Sequence, residues 1–186
     1  QPIGLAYLKA AVRQSLPEVD VKIVDLHHGH GRYQVPIPAE LQYLKDYYPY
    51  PDRSPFCSFH GFFHFGASAE KIAAVIAEEK PDVVGISSLF SPYYREVLKI
   101  ARIVKQVSKA VVIVGGSHAS AHPESLRTCA DIDEVMVGEG EKPLVEYLAR
   151  TFNLLTGPAK ESLIPDLSDF VPHTYTYKGK PLCFMI

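Results

Sequence analysis

Three short loops of small residues carry the groups in this chain best suited to holding a ligand. They close the runs PDVVGISSLFSPYY, VVIVGGSHAS and EVMVGEGE, between Pro81 and Glu141. Gly115 and Gly116 let backbone N–H groups approach a ligand with no Cβ in the way. Ser87, Ser88, Ser91, Ser117 and Ser120 add hydroxyls able to donate to an amide-rich or phosphate-bearing molecule. In open α/β sheets ligands collect at the carboxyl ends of parallel strands. Ser87-Ser88, Gly115-Gly116 and Gly138-Glu139-Gly140 are therefore expected along one edge, facing something flat or phosphorylated. One glycine pair alone signals only a tight turn, whereas three such loops on one edge signal a ligand.

A nucleotide is the obvious competitor. Yet no strand is followed by G-x-G-x-x-G, and no G-x-x-x-x-G-K-[ST] phosphate loop is present. Glu139 and Glu141 would place two carboxylates where a pyrophosphate would have to sit. With no histidine, lysine or metal motif beside them, these glutamates are expected to accept backbone N–H bonds where the last helix starts. The three cysteines, Cys57, Cys129 and Cys183, lack the short spacings of metal and cluster sites and read as reduced structural thiols, Cys129 as a small core residue. His60 and His64, like His28 and His30, are close enough in sequence to invite a metal reading. Packing among the aromatics around them is the expected role, so no metal site is assigned.

The elements that must position these loops follow from periodicity. The chain has 186 residues, 47% hydrophobic and 22% charged, enough for one substantial core plus an appendage. A formal charge of −2 gives no electrostatic reason to expect nucleic acid or an anionic membrane as partner. No apolar run approaches the roughly 20 residues of a membrane span and no signal peptide opens the chain, so a cytoplasmic protein is expected. Helical spacing covers residues 2–15, with Ile3, Leu5, Leu8, Ala11 and Val12 on one side. Val19 to Leu26 alternates like a strand. Residues 29–66, dense in Pro, Tyr, Phe and His, read as an insertion that caps the sheet edge, with a short helix at Pro38–Tyr47. Then follow a helix at 68–79 capped by Ser68, a strand at Asp82–Ser87, and a helix at Pro92–Val107 capped by Ser91. A strand at Val111–Val114, a helix from Pro123, a strand at Val135–Val137 and a helix at Pro143–Thr151 complete the series.

This alternation predicts an α/β, flavodoxin-like (Rossmann-like), doubly wound parallel sheet. Because the chain opens on a helix, the first strand of that sheet is expected to be missing, and both ends read as cut from a longer protein. Residues 1–153 form the expected domain. Residues 154–186 read as a linker and a hairpin, Tyr175–Tyr177 turning at Lys178-Gly179 into Leu182–Ile186.

IVDL, AEKI, PDVVGISSLFSPYYREVLKIAR and VVIVGGSHASAHPE, in that order, resemble cobalamin-binding domains of the methionine synthase type. The ending VMVGEGEKPLVEYL is similar to the N-terminal B12-binding domain of cobalamin-dependent radical S-adenosylmethionine proteins. The resemblance covers roughly residues 2–150 and extends to the tail, IPDL…YTYKGKPLCFMI. It implies a cobalamin whose nucleotide tail is flanked by Ser87, Ser88, Leu89 and Ser91 and packed on Gly115 and Gly116. Ser117, His118 and the turn Gly138, Glu139, Gly140 would lie near the tail or the corrin rim. It also implies a parent enzyme, a methyltransferase or related radical enzyme, whose absent C-terminal radical domain binds S-adenosylmethionine and a 4Fe–4S cluster. No C-x-x-x-C-x-x-C motif occurs here, so this chain is expected to bind cobalamin without catalysing. Asp25-Leu26-His27 partly matches the D-x-H-x-x-G motif of histidine-ligated cobalamin, but His30 replaces the glycine and the motif ends the wrong strand. A cofactor held without His27 is preferred. A stand-alone corrinoid carrier or sensor and a flavodoxin-like nucleotide or flavin domain remain the alternatives.

Overall fold

Val111 to Val114 is a β-branched run without charge, and it is buried on both faces. Val112 and Val114 are 0% exposed, and Ile113, pointing the other way, is 4% exposed. A strand covered on both faces requires layers on both sides of its sheet. The computed structural model describes residues 3–44, 61–157, 175–177 and 180–182. It divides into two units, one of residues 25–72 and the other of 1–24 with 73–186.

In the larger unit the sheet is parallel, in the order β3 (Val83–Ser87), β4 (Val111–Gly115), β5 (Glu134–Val135). Val83 pairs with Val111, Ser87 with Gly115, and Val114 with Val135. Helix α1 (Ile3–Ser15) opens the chain, and α2 (Ala69–Glu79) precedes β3. Between β3 and β4 runs α3 (Tyr94–Val107); two short helices, α4 (Ser117–Ala121) and α5 (Glu124–Arg127), join β4 to β5; α6 (Glu141–Phe152) follows. The fold is α/β, a flavodoxin-like parallel sheet with helices.

One core cluster joins Ala11, Val12 and Leu16 of and after α1 to Val145 and Leu148 of α6, with Val83 packed against it. Helix α1 turns inward its alanine stripe, Ala6, Ala10 and Ala11, together with Val12, whereas Ile3 is 49% exposed. Short side chains let it sit close to α6. The buried residues of α3, Val97, Ala101 and Val104, keep the 3.6 period. Ser68 caps α2 as expected, its Oγ accepting the Lys71 N–H at 3.3 Å.

Several expectations need correction. Residues 19–26 keep the alternating exposure of a strand but belong to none of the sheets. Alternation records two environments, while a strand also needs a neighbour to share its ladder. Strand β5 stops at Val135; the Met136 N–H still reaches Val114 O at 2.8 Å, but Val137 is 48% exposed. Ser91 opens a short 3₁₀ turn and makes no cap bond to α3. Cys129 is a free thiol, half-buried rather than in the core. Cys57 and Cys183 lie outside the described residues.

The smaller unit holds an antiparallel pair absent from the sequence expectation, β1 (Arg32–Val35) with β2 (Phe62–Phe65). The Arg32 guanidinium lies 4.7 Å from the Phe63 ring centroid, and the rings of Tyr33 and His64 are 5.0 Å apart. Of the expected helix at Pro38–Tyr47, a 3₁₀ turn at Ala39–Leu41 is seen; residues 45–60, with Tyr47, Tyr48, Phe56, Phe59 and His60, lie outside the description. Strands β6 (Tyr175–Tyr177) and β7 (Lys180–Leu182) form the expected hairpin pair, the second arm starting earlier than predicted.

Two contacts fix the sheet. At its amino end, Asp133 Oδ2 accepts the Val112 N–H at 2.6 Å and Lys105 Nζ at 2.5 Å, and Lys105 also donates to Ala110 O. Burial pushes the Asp133 carboxyl up, but the Lys105 and Val112 hydrogen bonds and the Lys105 charge outweigh it and hold the group below the usual range. At the carboxyl end, Gly116 has φ +118° and lies so close to the preceding loop that a Cβ would stand 2.6 Å from Ser88 O.

Asp133→Asn is expected to cost about 1 kcal/mol at pH 7, the charge-assisted bonds being discounted for the pair's partial exposure. That contribution is complete above the unfolded carboxylate pKa of about 3.9 and fades as pH falls through the lower folded value. Urea midpoints of parent and variant should therefore differ at pH 7 and converge towards pH 2; a gap constant with pH would refute the ionic role. Gly116→Ala should cost about 2 kcal/mol or more, from the φ penalty plus a backbone clash. Gly115→Ala, whose Cβ would meet only Met136 Cβ at 3.8 Å, should melt within a few degrees of the parent.

Candidate functional site

The three loops at the carboxyl edge are stitched to one another, all within the larger unit. Ser88 donates its N–H to Gly115 O at 2.7 Å and accepts the His118 N–H at 3.0 Å. Ser117 Oγ donates to Leu89 O at 2.5 Å. Ser120 Oγ donates back to Gly116 O at 3.0 Å and accepts the Gly138 N–H at 2.9 Å. The loop after β4 therefore holds both of the others. The backbones of Ser88 and Gly116 lie too close for any side chain at residue 116, which is why the second glycine is needed.

Ser87, Ser88, Leu89, Ser91, Gly115, Gly116, Ser117, His118, Gly138, Glu139 and Gly140 all lie on this edge, with different exposures. Ser87 is exposed and ends β3 opposite Gly115. Ser88 is 1% exposed, and its Oγ is buried without a partner. Its side chain is sealed in rather than offered to a ligand. Gly140 sits where a Cβ would come within 3.0 Å of the Leu8 side chain, so α1 packs over the third loop. Neither Glu139 nor Glu141 accepts a backbone N–H among the described residues, contrary to expectation. The first turn of α6 is closed by the Leu144 N–H to Gly140 O.

His118 is the one buried titratable group here, 4% exposed. Its Nδ1 lies 3.0 Å from Ser91 Oγ and its Nε2 3.0 Å from Ser125 Oγ; the rings of Tyr94 and His122 lie tilted beside it, with centroids 5.5 and 5.7 Å away. Ser91, expected to cap a helix, is instead held by this histidine. His118 lies beneath the site and positions its loops.

Gly85 was missed. In the parallel register Gly85 pairs with Ile113 and Ser87 with Gly115, and alternation puts Gly85, Ser87 and Gly115 on the face where Val83 meets α1 and α6. A Cβ at Gly85 would meet nothing within 4 Å. Gly85, Ser87 and Gly115 therefore add little side-chain bulk to that face beside Ile113, and on the segments that follow the strands Leu89, Phe90, Tyr93 and Val137 are exposed, with Phe90 and Tyr93 edge-to-face. A glycine inside a strand of β-branched residues was the available signal. Ser125, seven residues after His118, gave none.

The motif around His27 belongs to the other unit. Asp25 Oδ1 accepts the N–H groups of His27 at 2.8 Å and His28 at 2.9 Å, closing an Asx turn. The His27 side chain is exposed. Among the described residues no group of three His, Cys, Asp or Glu is arranged to hold a metal ion, and no helix is long and apolar enough to cross a membrane.

Comparison with known proteins bears on the ligand. Residues 62–148 match the B12 binding domain model. The chain is 30% identical over 149 residues, 79% of its length, to cytidylyl-2-hydroxyethylphosphonate methyltransferase of Streptomyces wedmorensis. It is 32% identical over 154 residues, 80% of its length, to an uncharacterized methyltransferase of Pyrococcus horikoshii. It spans about a quarter of each of these relatives, 24% and 25%. No solved structure matches. The three stitched loops, from Ser87 to Gly140, lie inside the matched span, and the chain contains a B12 (cobalamin) binding domain.

Proposed function

We propose that this chain is the cobalamin-binding part of a larger cytoplasmic enzyme, a radical S-adenosylmethionine methyltransferase or a related radical enzyme. Residues 1–153 form the binding domain and 154–186 lead to the domain that performs the chemistry. S-adenosylmethionine and a 4Fe–4S cluster belong to that other domain. The observation that carries the reading is the open space over Gly85 and Gly115, beside Ser87, within the span that matches the B12 binding domain, where a planar nucleotide base would lie against the sheet. Bound cobalamin would supply a cobalt centre able to carry a methyl group. The chain's own residues bind and orient: Ser87, Leu89, Gly115 and Gly116 along the tail and Ser91, Ser117 and Gly138 to Gly140 at its rim, with Ser88 and His118 buried beneath them and holding the loops in place. The methyltransferase names of two relatives, of each of which the chain matches about a quarter, support the parent's class.

Titration of the chain with hydroxocobalamin, followed by its visible bands, tests the cofactor. Ser87→Phe and Gly115→Leu fill that space and should weaken binding by more than about tenfold, equivalent to roughly 1.4 kcal/mol, with little change in melting temperature. Binding as tight as the parent's in both variants would sink this placement; a bound flavin or nucleotide with no corrin spectrum would favour that alternative. Spectra of the Co(II) form should be the same in the parent and His27→Ala. Loss of a nitrogen hyperfine splitting in the variant would instead make His27 the cobalt ligand.

A further inference from the structure

We infer that the rim of this site is a surface of hydrogen-bond acceptors, set by His118, and that it selects cobalamin by the N–H groups of its peripheral amides. The inference rests on the cobalamin reading above and assigns Ser91 and Ser117 as the specificity-determining residues.

The polarity follows from counting hydrogens. A serine hydroxyl has one hydrogen to donate and two lone pairs to accept with. Ser125 Oγ donates to His122 O at 2.7 Å, so its hydrogen is committed. It can only accept from His118 Nε2, 3.0 Å away, which places the proton of the neutral ring on that nitrogen. Nδ1 is then a bare lone pair, and Ser91, 3.0 Å from it, must be the donor. Ser91 is an exposed residue whose hydroxyl hydrogen is spent on His118, so what remains to offer a ligand is lone pairs alone. Ser117 repeats the arrangement: it is an exposed residue whose hydrogen goes to Leu89 O, which leaves its oxygen only as an acceptor. Ser120 donates to Gly116 O and accepts from Gly138, which leaves it no hydrogen either. The exposed carboxylate of Glu139 adds further acceptors beside them. The sequence suggested serines that donate; the structure turns three of them round.

Lone pairs and carboxylates disfavour a phosphate placed against them, cobalamin's own phosphodiester included, and pair with the N–H groups of a primary amide. The same hydroxyls pointing outward would have suited a nucleotide. His118 thus acts as a positioning residue, through Ser91.

Two measurements test this on the whole chain. First, ¹⁵N spectra of the ligand-free protein should show His118 as the neutral Nε2–H tautomer at pH 8, and Ser125→Ala should relax that preference; an Nδ1–H tautomer in the parent overturns the relay. Second, hydroxocobalamin should be compared with its three propionamide-derived monocarboxylates, in each of which one side-chain amide has become an acid. At least one acid should bind about tenfold or more weakly than the parent corrinoid, and Ser91→Ala or Ser117→Ala should reduce that penalty to within about threefold. Tight binding of hydroxocobalamin with no penalty for any acid overturns this inference and leaves the cobalamin reading standing. Failure of hydroxocobalamin to bind overturns the cobalamin reading itself, while the spectra still decide the relay.

Discussion

The site depends on one close approach, between the backbone of Ser88 and that of Gly116. A Cβ at residue 116 would lie 2.6 Å from Ser88 O, closer than non-bonded atoms come. That contact lets Ser88 exchange hydrogen bonds with Gly115 and His118, which brings the β3 and β4 loops into a single layer. From the same layer Ser120 reaches Gly138 and carries the third loop. A side chain at residue 116 would part the first two loops and take away the base on which His118 holds Ser91. The neighbouring glycine serves a different end. Gly115 has room for a Cβ, so its lack of a side chain matters to the surface rather than to the fold.

The two glycines look identical in sequence, and this shows where single-sequence inference stops. Periodicity located β3, β4, α2, α3 and α6 to within a few residues, because each buries a stripe long enough to repeat its period. It failed where a hydrogen-bonding partner, not a pattern, decides the outcome. Val21, Lys22, Ile23 and Val24 alternate in exposure yet make no ladder. Arg32–Val35 and Phe62–Phe65 form a ladder across a gap of 26 residues that no local signal spans. Helix α4 is five residues long, too short for periodicity to mark it.

The site divides along the same line. Its position at the carboxyl edge was legible from the order of strands and small-residue loops, since topology alone puts those ends together. What the loops present was not. Donor or acceptor character at Ser91 depends on His118, and that of His118 on Ser125 and finally on the carbonyl of His122, a chain of contacts among residues from 91 to 125. Gly85 was overlooked for a related reason: its value lies in the space above it, which only the paired strand and the flanking helices define.

Shape and polarity are therefore assigned to different parts of the edge. The low-bulk face at Gly85, Ser87 and Gly115 does not by itself choose among flat groups, because burial of apolar surface is not directional. The serines at the rim discriminate by direction, because an acceptor facing an acceptor costs free energy and an acceptor facing an amide regains what desolvation took. Neither part suffices alone. A low-bulk face with outward-donating serines would suit a flavin or a nucleotide, and an acceptor rim over a filled face would hold only a corrin's margin. Keeping His118 buried secures the second requirement without adding bulk to the first: the ring is 4% exposed, and the residue it holds, Ser91, is exposed. The substitution most informative about the division is consequently a conservative one. Removing the Ser125 hydroxyl leaves every group that could touch a ligand in place and changes only the direction in which a proton points.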